Sequence, residues 1–120
     1  MAGRTILVAE DEASVRALLV IVLERSGYQV LAAVDGSEAI AILGNEAIDV
    51  DAVVSDVDMP GATGLEVVAF AQAKRPAIGL ILTSGNSLWT AEQIAADVTL
   101  LQKPFTIDEL KIAVEAVLTT

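Results

Sequence analysis

Five short apolar runs, Thr5–Ala9, Tyr28–Ala33, Ala52–Ser55, Ile78–Leu82 and Thr99–Gln102, recur along this chain, separated by stretches whose apolar residues return at helical spacing. Uniformly apolar runs of that length suit strands buried on both faces, and their alternation with helices argues for a parallel sheet. Right-handed crossovers then bring the carboxyl end of every strand to one edge. Five such units predict a doubly wound α/β fold, a three-layer sandwich with strand order 2-1-3-4-5. Its ligand crevice is expected at the switch point between the first and third strands.

The helices follow from periodicity and punctuation. Val15, Leu18, Leu19, Val22 and Leu23 make an apolar stripe from Ser14 to Ser26, and Gly27 is a natural stop. A second helix begins at Asp35-Gly36-Ser37 and ends near Gly44-Asn45. A third spans Leu65–Ala73 after a loop at Gly61–Gly64 and breaks before Pro76, and Thr106 caps a last helix through Leu118. Between Asn86 and Asp97 the residues Leu88, Trp89, Ile94 and Ala95 allow a short helix, although polar residues interrupt its stripe. Trp89 is expected to pack partly. No internal repeat or linker divides the sequence, so residues 1–120 are expected to form one domain.

Composition narrows function more than fold. Aromatic residues make up 3% of the chain, so Val, Ile, Leu and Ala must build the core. The absence of cysteine excludes a disulfide framework and a thiolate site. The absence of histidine removes any imidazole for catalysis, for metal or to carry a phosphoryl group. Seven basic against seventeen acidic residues, a formal charge of −10, argue against direct binding to nucleic acid or an anionic membrane. No apolar run approaches the ~20 residues that cross a bilayer, and there is no secretory signal, so a cytoplasmic location is expected.

The stretch Val53-Val-Ser-Asp-Val-Asp-Met-Pro-Gly61 carries the chemistry. A buried strand delivers Asp56, and Pro60-Gly61 then turn the chain out of the sheet. At the switch point Glu10 and Asp11, just past the first strand, face Asp56. Carboxylates ~5 Å apart at an effective dielectric of ~20 repel by roughly 3 kcal/mol per pair. Either a hard divalent cation sits among them, Mg2+ or Mn2+ rather than zinc, or one carboxyl has a raised pKa and no metal is bound. Thr83 and Lys103, at the ends of the fourth and fifth strands, add a hydroxyl and an ammonium. Acid, acid, hydroxyl and ammonium on four strand ends suit phosphoryl rather than acyl transfer: the carboxylate attacks, and cation, lysine and hydroxyl hold the phosphoryl oxygens.

With these residues in place the sequence resembles the receiver domain of two-component response regulators over essentially its whole length. The matching pieces are Ile6-Leu-Val-Ala-Glu-Asp-Glu12, Asp56-Val-Asp-Met-Pro-Gly61 with Gly64, Leu82-Thr-Ser-Gly85 and Lys103-Pro-Phe105. The resemblance implies a CheY-like, flavodoxin-like fold and a phosphorylatable switch rather than an enzyme with a separate substrate. Asp56 would be the phosphoacceptor, supplied by a sensor histidine kinase or a phosphotransfer protein. Asp11 would ligate Mg2+ directly and Glu10 through water, with Asp56 and the main-chain carbonyl of Asp58 completing the site. Lys103, joined to Pro104 by a cis peptide, would contact the phosphoryl group, and Thr83 would move toward it. Autophosphorylation from small donors and autodephosphorylation are also implied, as is an output through a protein partner or a fused effector.

Two departures bear on the switch. Leu100 stands where the family often has an aromatic residue that turns inward with the threonine, and leucine cannot reproduce that ring motion. The segment between Ser84 and Leu100 is also shorter than usual, which predicts a stunted or mobile helix there and a signal carried through Thr83, Ser84 and Gly85. Asp58 adds an acid two residues past the acceptor, either altering the acyl phosphate lifetime or simply facing solvent. Two other functions remain open. Asp56-Val-Asp58 resembles the nucleophile and acid pair of haloacid-dehalogenase-type phosphatases, although it lies on the third strand rather than the first. The fold could also serve as a phosphorylation-independent interaction module. A single-domain regulator and a receiver at the end of a hybrid histidine kinase fit the sequence equally.

Overall fold

The structure, a computed structural model, describes residues 3–85 and 97–119. The expected helix after Asn86 and the packing of Trp89 lie outside those residues. Strands β1 (Thr5–Ala9), β2 (Gln29–Ala33), β3 (Ala52–Asp56), β4 (Gly79–Ser84) and β5 (Thr99–Gln102) form a five-stranded parallel sheet in the order 2-1-3-4-5. Helices α1 (Ala13–Arg25) and α4 (Ile107–Leu118) cover one face, and α2 (Gly36–Leu43) and α3 (Gly64–Lys74) cover the other. This is the doubly wound three-layer arrangement that the alternating runs predict.

Successive residues of the central strands sort into two cores, as a period of two requires. Leu7, Val53, Leu80 and Leu82 meet Leu43, Val67 and Ala71 on the side of α2 and α3. Ile6, Val8, Val54 and Ile81 meet Leu23, Leu110 and Val114 on the side of α1 and α4. Every residue of β3 and β4 is buried, whereas the edge strands β2 and β5 are partly exposed. Burial on both faces is why the central runs carry no alternation of polar residues.

Local signals set the helix ends. The Tyr28 N–H donates to the Leu23 carbonyl and the Gly27 N–H to that of Glu24, with Gly27 at φ 98°, so the predicted glycine stop closes α1 as a Schellman motif. Thr106 caps α4 in a reciprocal capping box with Glu109. Thr63 does the same for α3 with Glu66, so that helix starts at Gly64, one residue before the sequence-based boundary. The spacing Thr63-x-x-Glu66 carried that signal. β3 and β4 also run past the ends expected from hydropathy. Asp56 pairs in register with Thr83, the Val57 N–H donates to the Thr83 carbonyl at 2.9 Å, and Ser84 still pairs with Gln102. Backbone pairing thus continues into the polar residues and holds Asp56, Thr83 and Ser84 in the sheet.

Candidate functional site

The carboxyl ends of β1, β3, β4 and β5 converge on one edge, bringing Glu10, Asp11, Asp56, Thr83 and Lys103 together. Glu10 follows β1 directly and is 1% exposed, an unusual state for an acid, and each of its polar groups is engaged. Its N–H donates to the Ala33 carbonyl at 3.2 Å, and its own carbonyl accepts from Arg16 Nη1 at 2.8 Å. Oε2 accepts the Glu12 N–H at 3.1 Å, and Oε1 accepts Lys103 Nζ at 3.0 Å. Asp11, one residue on, is exposed.

Asp56 closes β3 and is 8% exposed. Its Oδ2 lies 3.6 Å from Lys103 Nζ, and the Asp58 N–H donates to its carboxylate. Glu10, Asp11 and Asp56 each offer a carboxylate oxygen, all within 4.8 Å of one another. Thr83, 1% exposed, stands beside Asp56 in the ladder, and buried Ser84 accepts the Lys103 N–H at 2.8 Å through its carbonyl. The Lys103–Pro104 peptide is cis. Leu100 is half-buried and packs toward the α2–α3 core, while the Asp58 side chain is exposed.

Charge and burial compete here. Burial and the neighbouring charge of Glu10 push the Asp56 carboxyl above its usual range, with a smaller push from Asp11. The Lys103 charge and the Asp58 N–H oppose that rise without cancelling it. Partial burial pushes the Lys103 ammonium down. The hydrogen bond it donates to Glu10 and the charges of Asp56 and Glu10 outweigh that and hold it above the ordinary lysine range. Both alternatives read from the sequence, a raised carboxyl and a cation site, are therefore represented in this geometry. An all-carboxylate donor set on a water-facing edge is the chemistry that Mg2+ and Mn2+ prefer, and the residues present fit such an ion.

A raised folded-state pKa fixes the sign of a stability effect. The protonated Asp56 contributes stability that is present below the ordinary carboxylate range and lost as pH rises through the folded value. Asp56→Asn, neutral at every pH, should therefore stabilise the metal-free protein near pH 7. The expected rise in Tm is roughly 4 °C, equivalent to about 1 kcal/mol. Thermal denaturation in chelator at pH 4 and pH 7 checks this, because the gain should shrink at the lower pH.

The sequence singled out each of these residues, but not how Lys103 is shared. It bonds Glu10 more closely than Asp56, which the order of residues along the chain does not reveal. Arg16 was also missed. It sits one turn into α1, and only its spacing from Glu10 hinted that it reaches back to the strand end.

Comparison with known proteins agrees with this geometry. Residues 6–115 match the family described as the response regulator receiver domain. The transcriptional regulatory protein PdtaR of Mycobacterium tuberculosis is 36% identical over 115 residues, 93% of this chain and 55% of its own length. The chain thus spans about half of that relative. A response regulator receiver protein from Sinorhizobium medicae superposes with a TM-score of 0.92 at 31% identity, covering 98% of this chain and 96% of that one. The Thermotoga maritima response regulator protein TrrA, solved in complex with Mg2+–BeF, gives 0.85 at 31% identity, covering 95% of this chain and 98% of its own. Strand order, site architecture and sequence thus agree, and the chain belongs to the response regulator receiver domain family.

Proposed function

We propose that this receiver domain is a Mg2+-dependent phosphorylatable switch in which Asp56 accepts the phosphoryl group. The observation that carries this reading is the convergence of an acceptor carboxylate, two further acids and a lysine on one strand edge, with donor oxygens within 4.8 Å. An Asp56 carboxylate oxygen attacks phosphorus, a new O–P bond forms, and the donor's bond to phosphorus breaks. The leaving imidazole of a histidine donor, or the carboxylate of a small acyl phosphate, takes the bonding pair. Hydrolysis returns the carboxylate and inorganic phosphate. Lys103 neutralises charge on Asp56 and the incoming group, favouring the ionised, nucleophilic acid. Thr83, next to Asp56 in the ladder, is placed to donate its hydroxyl to a phosphoryl oxygen.

Glu10, Asp11, Asp56 and the main-chain carbonyl of Asp58 would hold the cation. When bound, it supplies charge neutralisation for the transferring group. Ser84, next to Thr83 in β4, and Leu100, which pairs with Leu82, carry the response into β5, and without an aromatic ring at Leu100 the coupling runs through packing. The donor is a histidine on a sensor kinase or phosphotransfer protein, and the output is a protein partner or fused effector. Described helices include none long and apolar enough to cross a membrane. We place the reaction in the cytoplasm, with small acyl phosphates as alternative donors and with autodephosphorylation.

Intact mass after incubation with acetyl phosphate and Mg2+ tests this. The expected result is one phosphoryl adduct in the parent, and none in Asp56→Asn or in a chelated control. An adduct persisting in Asp56→Asn would move the acceptor elsewhere. Sustained turnover of a generic phosphomonoester would favour the phosphatase reading.

A further inference from the structure

Asp11 is the exposed member of the acid cluster, and among the described residues its carboxylate has no hydrogen bond or ion pair. Its aim is therefore set first by its own two soft backbone torsions. The peptide groups on either side of it are both held by side chains. The Glu10 carbonyl, which precedes Asp11, accepts Arg16 Nη1 at 2.8 Å. The Glu12 N–H, which follows it, donates to Glu10 Oε2 at 3.1 Å. Arg16 closes the same segment a second time, because its own N–H donates to the Glu12 carbonyl at 2.9 Å. It is half-buried, and among the described residues its guanidinium forms no salt bridge. A cation beside three carboxylates thus places its charge on a main-chain oxygen rather than on an acid.

From this geometry we infer that Arg16 is a positioning residue for the cation site: its guanidinium holds the Glu10–Asp11 peptide and so aims the Asp11 carboxylate. The inference rests on the cation reading above and adds a residue which that reading does not contain. Partners that orient a metal ligand are typically worth roughly 10- to 100-fold in affinity. Charge alone predicts the opposite sign. A guanidinium near the cluster repels a divalent ion, so deleting a mere neighbouring charge would tighten binding. The direction of the change on removing Arg16 therefore separates aim from charge. Glu10 gains from the same contact, since the carbonyl that Arg16 holds is its own, but its carboxylate keeps Lys103 and the Glu12 N–H as partners. Asp11 has no such reserve.

The test compares the parent with Arg16→Met, Arg16→Lys and Arg25→Met. The last removes the same formal charge from the exposed final turn of α1. Mg2+ affinity is measured by isothermal titration, and amide hydrogen exchange at Glu12 is followed by NMR in chelator. Arg16→Met should weaken Mg2+ binding at least about tenfold and speed exchange at Glu12 at least about fivefold. Arg16→Lys, which keeps a charged donor, should recover affinity to within about threefold of the parent, and Arg25→Met should change it less than about twofold. Thermal unfolding in chelator shows that each variant is folded. Should Arg16→Met not fold, Arg16→Gln decides by the same two readouts. Parental or tighter Mg2+ binding in the neutral variant overturns the proposal and leaves Arg16 a bystander charge. Weaker binding with unchanged exchange at Glu12 also overturns it, because the segment around Asp11 was then not held by Arg16. Absence of Mg2+ binding to the parent overturns the cation reading itself, a failure distinct from the other two.

Discussion

Replacing Gly64 by alanine is expected to lower stability by about 3 kcal/mol and Tm by roughly 10 °C, an unusually large effect for one added methyl group. The reason is close approach. Gly64 opens α3, donates its N–H to the Val57 carbonyl at 2.9 Å, and lies against the backbone that leaves β3. A Cβ at this position would collide with the Asp56 carbonyl oxygen and come within 2.8 Å of the Val57 Cα. Both obstacles are main chain, so no rotamer change relieves them. Either α3 retreats from the sheet or the backbone of Asp56 and Val57 moves, and each disturbs the surroundings of Asp56. Gly85→Ala is the matched control. Among the described residues a Cβ there meets nothing nearer than the Lys103 side chain at 4.0 Å, so it should stay within about 0.5 kcal/mol of the parent. Thermal and denaturant unfolding of both variants compare the two sites. Equal midpoints would mean that α3 does not depend on this contact.

The Gly64 contact also marks where the sequence stops being legible. The strands and their order followed from apolar runs and from the handedness of crossovers, because central strands buried on both faces leave a hydropathy signal that surface strands do not. The helix stripe ending at Gly27 and the cap at Thr106 were equally readable, since each signal lies within a few residues of its effect. Asp56, Thr83 and Lys103 could be placed because the ends of parallel strands share an edge, so position along the chain implies proximity in space. What escaped was set by side-chain reach and by backbone packing between distant segments. Lys103 bonds Glu10 across 93 residues, Arg16 folds back on the Glu10 carbonyl, and α3 abuts the end of β3 through a bare glycine. None of these has a periodicity. The polar ends of β3 and β4 escaped for a related reason: hydropathy ends at Ser55 and Leu82, whereas the ladder continues to Asp56 and Ser84.

Asp11→Ala is the second variant with a large expected effect, and here activity and stability should separate. Asp11 is exposed, whereas neighbouring Glu10 is buried and holds Lys103 and the first turn of α1. Removing the Asp11 carboxylate deletes one of three convergent oxygen donors and little packing. Charge neutralisation by a bound cation is worth several kcal/mol to phosphoryl transfer, and each ~1.4 kcal/mol is tenfold in rate. Phosphorylation from acetyl phosphate in Mg2+ should therefore slow by at least about 100-fold, while Tm in chelator stays within about 2 °C of the parent. Glu10→Ala should lose both. It strands the Lys103 ammonium beside Asp56, removes a buried partner of the Glu12 N–H, and should cost about 2 kcal/mol or more of stability. Phosphorylation rate against Mg2+ concentration, measured beside thermal unfolding for the same three proteins, distinguishes the roles. If Asp11→Ala phosphorylates at the parental rate, Asp11 is not part of the cation site and the donor set must be redrawn around Glu10 and Asp56. If it loses stability as Glu10→Ala does, its carboxylate is structural despite its exposure.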